Sequence, residues 1–195
     1  MKNRKLLLKK MWGVSLMLLL FLFFSGSASR GGVFSTGVWN ITYDGQQGGI
    51  TLTYKSRDIC EGMYASYQWR GGEIKTSDYA RHKISTGKVS DSFGKGHIYK
   101  VEYTDKQLPK LTQYFYLYPD KDYILTDFTV ESKEVISSGR MAPVNTNLLS
   151  GLLQTGDNRA LFVPFDNDKW IRYQSRPLGF DTLVSYEVTA IFNNE

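Results

Sequence analysis

The stretch "LTQYFYLYPDKDYILTDFTVES", residues 111–132, decides the fold. Two runs of alternating apolar and polar residues, 111–119 and 123–132, are joined by Pro119, Asp120, Lys121 and Asp122. Alternation at period two places one side of each run against a core. The aromatic, Thr, Ile and Val content suits a pleated, half-buried surface. Proline and aspartate between the runs supply a turn, so the stretch predicts two antiparallel strands.

The same pattern extends outward in both directions. "VWNITYD" (38–44) and "GITLTYKS" (49–56) flank an Asp44-Gly45 hairpin signal, and "MYASYQWR" and "EIKT" flank Gly71-Gly72. "HIYKVEYT" (97–104), "ALFVPF" (160–165) and "LVSYEVTAIF" (183–192) complete the strand-like runs, with turn signals every 8 to 15 residues. Such spacing predicts an all-β fold, a large antiparallel β-sandwich. The best helical candidate, "NTNLLSGLLQTG" (145–156), could be capped by Asn147 but carries Gly151 at its centre. It reads as a loop with at most a short helical turn.

Residues 1–28 stand apart. Five basic residues precede an apolar run of 14 residues (11–24), and the small residues of "SGSAS" follow. This is the layout of a cleavable signal peptide, cut after Ala28 and directing the chain to the periplasm or outside the cell. The alternative is a retained anchor, but the run falls short of the roughly 20 residues that span a bilayer. No cysteine lies near the cut to carry a lipid. Cleavage leaves a single domain, 29–195, with no membrane attachment. Removing the five bases also leaves 19 basic against 19 acidic residues. The chain's basic pI therefore belongs to the export signal, and a nucleic-acid partner loses its main support. The lone cysteine, Cys60, has no disulfide partner within the chain and reads as a small buried hydrophobe.

Catalytic and metal patterns are weak. The two histidines, His97 in a strand and His82 in a polar connection, have no G-x-S-x-G serine and make a poor zinc set with one cysteine. "FGKGHIY" (93–99) lacks the P-loop glycines and reads as a hairpin turn. No catalytic residue, metal site or cofactor is expected from these features. The densest polar stretch is "FVPFDNDKWIRYQSRP", residues 162–177. Asp166 and Asp168 are spaced as in a calcium loop, but Trp170 and Ile171 occupy the positions needing an oxygen donor and glycine. A less regular cation site that adds Asp157 stays open. The carboxylates could accept sugar hydroxyls, or pair with Lys169, Arg172 or Arg176. The bland alternative is a turn in which they accept backbone N–H groups. Residues 29–195 hold 24 aromatics, whose faces suit sugar C–H surfaces as well as cross-strand pairing.

"VSDSFGKGHIYKVEYT", "LTQYFYLYPDKDYILTDFTVES", "ISSGRMAPV" and "LFVPFDNDKWIRYQSRPLGFDTLVSYEVTAIFNNE" occur in that order. Together they resemble the N-terminal β-sandwich of Bacteroidetes-type glycoside hydrolases of family 36, the α-galactosidase kind, over residues 35–195. The most specific piece is F-x-P-F-D-N-D-x-W-x-R-Y. The resemblance implies a supersandwich-like domain that precedes a (β/α)₈ barrel, with the two catalytic aspartates in the barrel and none in this chain. It implies a non-catalytic domain, a truncated product or one half of a split protein, with the barrel as partner. It also implies that Asp166, Asp168, Trp170 and Arg172 meet a galactoside-type sugar or the barrel. The alternative is a stand-alone carbohydrate-binding module.

Overall fold

The structure, a computed structural model, describes residues 31–146, 155–163, 173–179, 185 and 189–194. The signal-peptide reading and most of the proposed helical turn lie outside these residues.

Alternation builds two large antiparallel sheets. The first contains β1 (Gly32–Thr36), β2 (Trp39–Tyr43), β3 (Ile50–Tyr54), β4 (Arg57–Trp69) and β5 (Gly72–Lys75). After a 3₁₀ turn (Thr76–Asp78) the chain crosses to the second sheet, β6 (Arg81–Asp91), β7 (Gly94–Thr104), β8 (Lys110–Leu117) and β9 (Ile124–Glu131). It then returns as β10 (Met141–Asn145) against the first sheet. The orders are β1-β2-β3-β4-β10, with β5 also on β4, and β6-β7-β8-β9. A separate three-stranded sheet follows, β12-β11-β13, from β11 (Asn158–Phe162), β12 (Gln174–Pro177) and β13 (Ala190–Asn193).

The inward positions follow the pleat. Trp39, Ile41 and Tyr43 of β2 meet Tyr99, Val101 and Tyr103 of β7 and Leu111, Phe115 and Leu117 of β8 in one core. Aromatic contacts cross between the sheets, Tyr43 to Tyr103 at 6.4 Å and Phe34 to Tyr99 at 5.7 Å between ring centroids. The fold is thus an all-β antiparallel sandwich, as the alternating runs predict.

Gln113 occupies an inward position of β8 and is fully buried. A buried amide is tolerable only when hydrogen-bonded. Its Oε1 accepts from the Tyr103 hydroxyl at 3.4 Å, and its Nε2 donates to the Pro143 carbonyl at 3.1 Å. The second bond ties β8 to β10 across the sandwich. Tyr79 does similar work at the sheet crossing: its hydroxyl donates to the Pro109 carbonyl at 2.7 Å and lies 3.1 Å from that of Tyr67. Burial pushes the Tyr79 phenol far up, which keeps it neutral.

The structure corrects four local readings. His82 lies within β6, opposite Tyr103, and not in a connection. The turn closing β4 and β5 is Arg70-Gly71, one residue earlier than Gly71-Gly72. The turn before β7 is Ser92-Phe93, and Gly96 lies inside the strand. Asn145, the first residue of the proposed helical turn, ends β10.

Two substitutions test this packing. A Cβ on Gly96 would sit 2.5 Å from the Leu117 carbonyl oxygen and 2.8 Å from Tyr118 Cδ1. Gly96→Ala should therefore cost about 1–3 kcal/mol, read as a lower urea midpoint. The buried Tyr99 hydroxyl has no hydrogen-bond partner, and burial pushes its phenol up to about 12. Tyr99→Phe removes an unsatisfied group without changing shape, so the urea midpoint should stay level or rise.

Candidate functional site

Asp166, Asp168, Trp170 and Arg172, the residues singled out in sequence, lie outside the described residues. Their flanks are described. Phe162, the last residue of β11, pairs with Gln174, the first of β12, so residues 163–173 join two neighbouring antiparallel strands. Arg176 lies over the Phe162 ring at 5.7 Å and donates to Gln174 Oε1 at 3.4 Å. Asp157, the third carboxylate of the conceivable cation site, is ion-paired with Arg159 at 2.7 Å and accepts from Asn194 Nδ2 at 3.2 Å. The Arg159 hydrogen bond holds its carboxyl below the usual carboxylate range. Its charge is already matched within this small sheet. Among the described residues, no group of three His, Cys, Asp or Glu side chains is placed to hold a metal ion.

The groups best suited to acid–base or nucleophilic chemistry are used in packing. The His82 ring meets Tyr43 edge-on at 4.9 Å, and desolvation pushes its pKa below the ordinary histidine value. His97 packs on Phe34 at 5.9 Å. Cys60 is buried, and burial raises its thiol pKa, which keeps it protonated and unreactive.

Polar chemistry collects at the two ends of the sandwich, where strands hand over to turns. One end is aromatic and acidic. It gathers the β1–β2, β3–β4, β6–β7 and β8–β9 connections. Phe93 (50 % exposed) and Tyr123 (40 % exposed) flank the buried Tyr118, with centroid distances of 6.2 and 6.3 Å to it. The Tyr118 hydroxyl donates to Asp91 Oδ2 at 2.6 Å, and the Phe93 amide donates to Asp91 Oδ1 at 2.8 Å. Beside them the Tyr54 hydroxyl donates to Asp122 Oδ1 at 2.9 Å, while Trp39 packs on Tyr54 at 4.7 Å. An ionised carboxylate has room for about four hydrogen bonds, so Asp91 and Asp122 keep acceptor capacity facing water.

The opposite end is a groove of about 740 Å³ between the β4–β5 turn, the β7–β8 loop and the chain leaving β9. Trp69, Arg70, Lys106, Gln107, Lys110, Lys133 and Glu134 are among its lining residues. Its volume lies in the range of small-ligand sites.

Neither end stood out in sequence. Phe93 and Gly94 read as a turn, Tyr118 and Tyr123 as strand residues, and Trp69-Arg70 as the end of one. The available signal was the placement of aromatics and acids at strand ends rather than within the alternation.

No protein family, curated protein or solved structure matches this chain. The fold and these surfaces define its class, an all-β sandwich with an aromatic–acidic end and a basic groove. Among the described residues, no helix is long and apolar enough to cross a membrane.

The Asp91–Tyr118 bond gives a pH signature. The Tyr118 hydroxyl holds the Asp91 carboxyl below its ordinary value of 3.8, while burial and Asp91 push Tyr118 from 10.0 up to about 12. Asp91's depressed pKa stabilises the fold above the unfolded carboxylate value, and that contribution is lost as pH falls through the folded one. Tyr118's raised pKa stabilises the fold below the unfolded phenol value, and that contribution is lost as pH rises through about 12. Asp91→Asn should therefore lower the melting temperature at neutral pH, and the gap to the parent should close below the carboxylate range. Thermal melts across an acid pH series check this.

Proposed function

We propose that the chain is a non-catalytic sandwich serving a secreted α-galactosidase-like glycoside hydrolase, and that its aromatic–acidic end meets galactoside-type carbohydrate. The observation that carries this reading is the pairing of exposed aromatic faces, Phe93 and Tyr123, with carboxylates fixed by tyrosine hydroxyls, Asp91 and Asp122. Aromatic faces stack on the C–H side of a sugar ring, and oriented carboxylates accept its hydroxyls. Holding the carboxylates in advance reduces the ordering cost of binding.

The packing roles of His82, His97 and Cys60 support a non-catalytic assignment. The family resemblance adds a neighbouring barrel as the place of catalysis. Asp166, Asp168, Trp170 and Arg172 belong to the connection between β11 and β12, and in this reading they face the sugar or the barrel. The same aromatic end would equally serve a stand-alone carbohydrate-binding module. The two readings separate on whether the isolated barrel of such a hydrolase binds this chain.

Neutral galacto-oligosaccharides titrated against the chain should change its intrinsic fluorescence saturably. Removing one aromatic face typically forfeits about 0.5–1.5 kcal/mol, so Phe93→Ala and Tyr123→Ala should each weaken binding roughly two- to twelvefold. Unchanged affinity in both variants would remove the sugar from this end. Turnover of an aryl α-galactoside by the chain alone would overturn the non-catalytic assignment.

A further inference from the structure

The groove at the other end of the sandwich holds a feature that packing does not require. Arg70 and Gly71 are the central residues of the turn joining β4 to β5, with φ of 50° and 80°, and Trp69 pairs with Gly72 across it. A two-residue turn with both φ values positive favours asparagine, aspartate or glycine at its first position. Arginine is a poor choice there, because its Cβ crowds the backbone in the left-handed region. Residues held in such conformations cluster at binding sites.

Its side chain is nonetheless well placed. The Arg70 guanidinium lies 4.4 Å from the Trp69 ring centroid and 2.6 Å from Glu134. The ring contact and the ion pair through one terminal nitrogen leave further N–H donors of the fork for a ligand. The rest of the groove is electrostatically lopsided. Glu134 is matched by Arg70, and Glu131 by Lys110, which also reaches Glu102 at 3.2 Å. Lys106 and Lys133 also line the groove and have no ion pair among the described residues. The lining therefore carries two uncompensated positive charges beside a planar donor fork, a partly buried indole and the Gln107 amide.

We propose that this groove binds a short acidic saccharide, with a carboxylate or sulfate group on Arg70 and a further anion between Lys106 and Lys133. A guanidinium fork matches the two-oxygen geometry of either anion. The groove spans three connections and is larger than a lone inorganic ion needs. The choice of a sugar rests on the carbohydrate-handling function proposed above, whereas the demand for an anion comes from the groove alone.

The test is calorimetric titration of the chain with trigalacturonate, a sulfated galactose disaccharide, neutral galactotriose and oligoglutamate, at low and at high salt. At least one of the two acidic sugars should bind, more weakly as salt rises, and the stronger of them identifies the anion. Arg70→Asn should weaken that binding roughly tenfold or more, since it removes charge-assisted hydrogen bonds. The double variant Lys106→Ala/Lys133→Ala should weaken it and flatten the salt dependence. Asparagine suits the left-handed position, so Arg70→Asn should melt at or near the parent temperature, which separates lost binding from lost folding. Lys88→Ala, which removes an exposed cation of β6 outside the groove, should bind the acidic sugar as the parent does. Failure of both acidic sugars, unchanged affinity in Arg70→Asn and the lysine variant, or oligoglutamate binding as tightly would each overturn the inference. Neutral galactotriose bound through Phe93 with no acidic sugar bound would leave the general function standing and remove this site.

Discussion

The sandwich depends on a layer of buried tyrosines, part of which is tied by hydrogen bonds. Tyr43, Tyr67, Tyr99 and Tyr103 are at most 1 % exposed and lie between the two large sheets. Each brings a large apolar ring and one polar atom, and burying that atom costs least where the hydroxyl finds a partner. Tyr103 finds Gln113, and Tyr67 finds Tyr79, which in turn reaches the Pro109 carbonyl. These bonds have direction, unlike apolar contact. They help set how the sheets face each other, and the unsatisfied Tyr43 and Tyr99 hydroxyls mark where apolar packing outweighs a missing bond.

That constraint reaches the surface. Pro109, whose carbonyl accepts from Tyr79, also lines the basic groove. The β7–β8 loop carrying Lys106 and Gln107 is thus anchored to the core through one tyrosine. At the aromatic end, Tyr118 is buried yet bonds to exposed Asp91, and Trp39 of the core donates its Nε1–H to the Lys121 carbonyl at 3.3 Å. Both ends are held by side chains rooted in the core. Sites rooted this way keep their geometry better than sites built from free loops.

Much of the sandwich was legible because burial follows the pleat. The runs 38–44, 49–56, 97–104, 111–119 and 123–132 all overlap strands. The strands that escaped notice have physical reasons. β6, "RHKISTGKVSD", is rich in polar and charged residues and inverts the usual cue, while β10 and β12 are short and each contains proline. β1 lies at the edge of its sheet, where only one neighbour constrains its composition. The surfaces were harder to read than the strands. Phe93 and Tyr123 approach a common point only after β6–β9 have folded back on themselves, and no spacing along the chain encodes that. Arg70 looked like a strand end because its left-handed conformation leaves no trace in residue type. The aspartates of 162–177 attracted attention because they are close in sequence, whereas both described surfaces draw on residues dozens of positions apart.

A comparison between two turns bears on how the ends are used. Lys55 and Ser56, joining β3 to β4, also have positive φ, at 47° and 64°, without glycine or asparagine. Lys55 lies over the Tyr54 ring at 4.8 Å, much as Arg70 lies over Trp69. At each end of the sandwich, therefore, a cation on a conformationally costly residue is laid against the aromatic residue that precedes it. A cation–π contact at an exposed site contributes about 0.5–1 kcal/mol, less than the roughly 1–3 kcal/mol cost of one such backbone conformation. Local energy thus falls short, and the stability of these turns must come from the ladders they close and the tyrosine layer beneath. A core with that much directional hydrogen bonding tolerates turns chosen for the side chain they present. The two ends consequently differ in what surrounds the cation: Asp122 and exposed aromatics at one, and two unmatched lysines at the other.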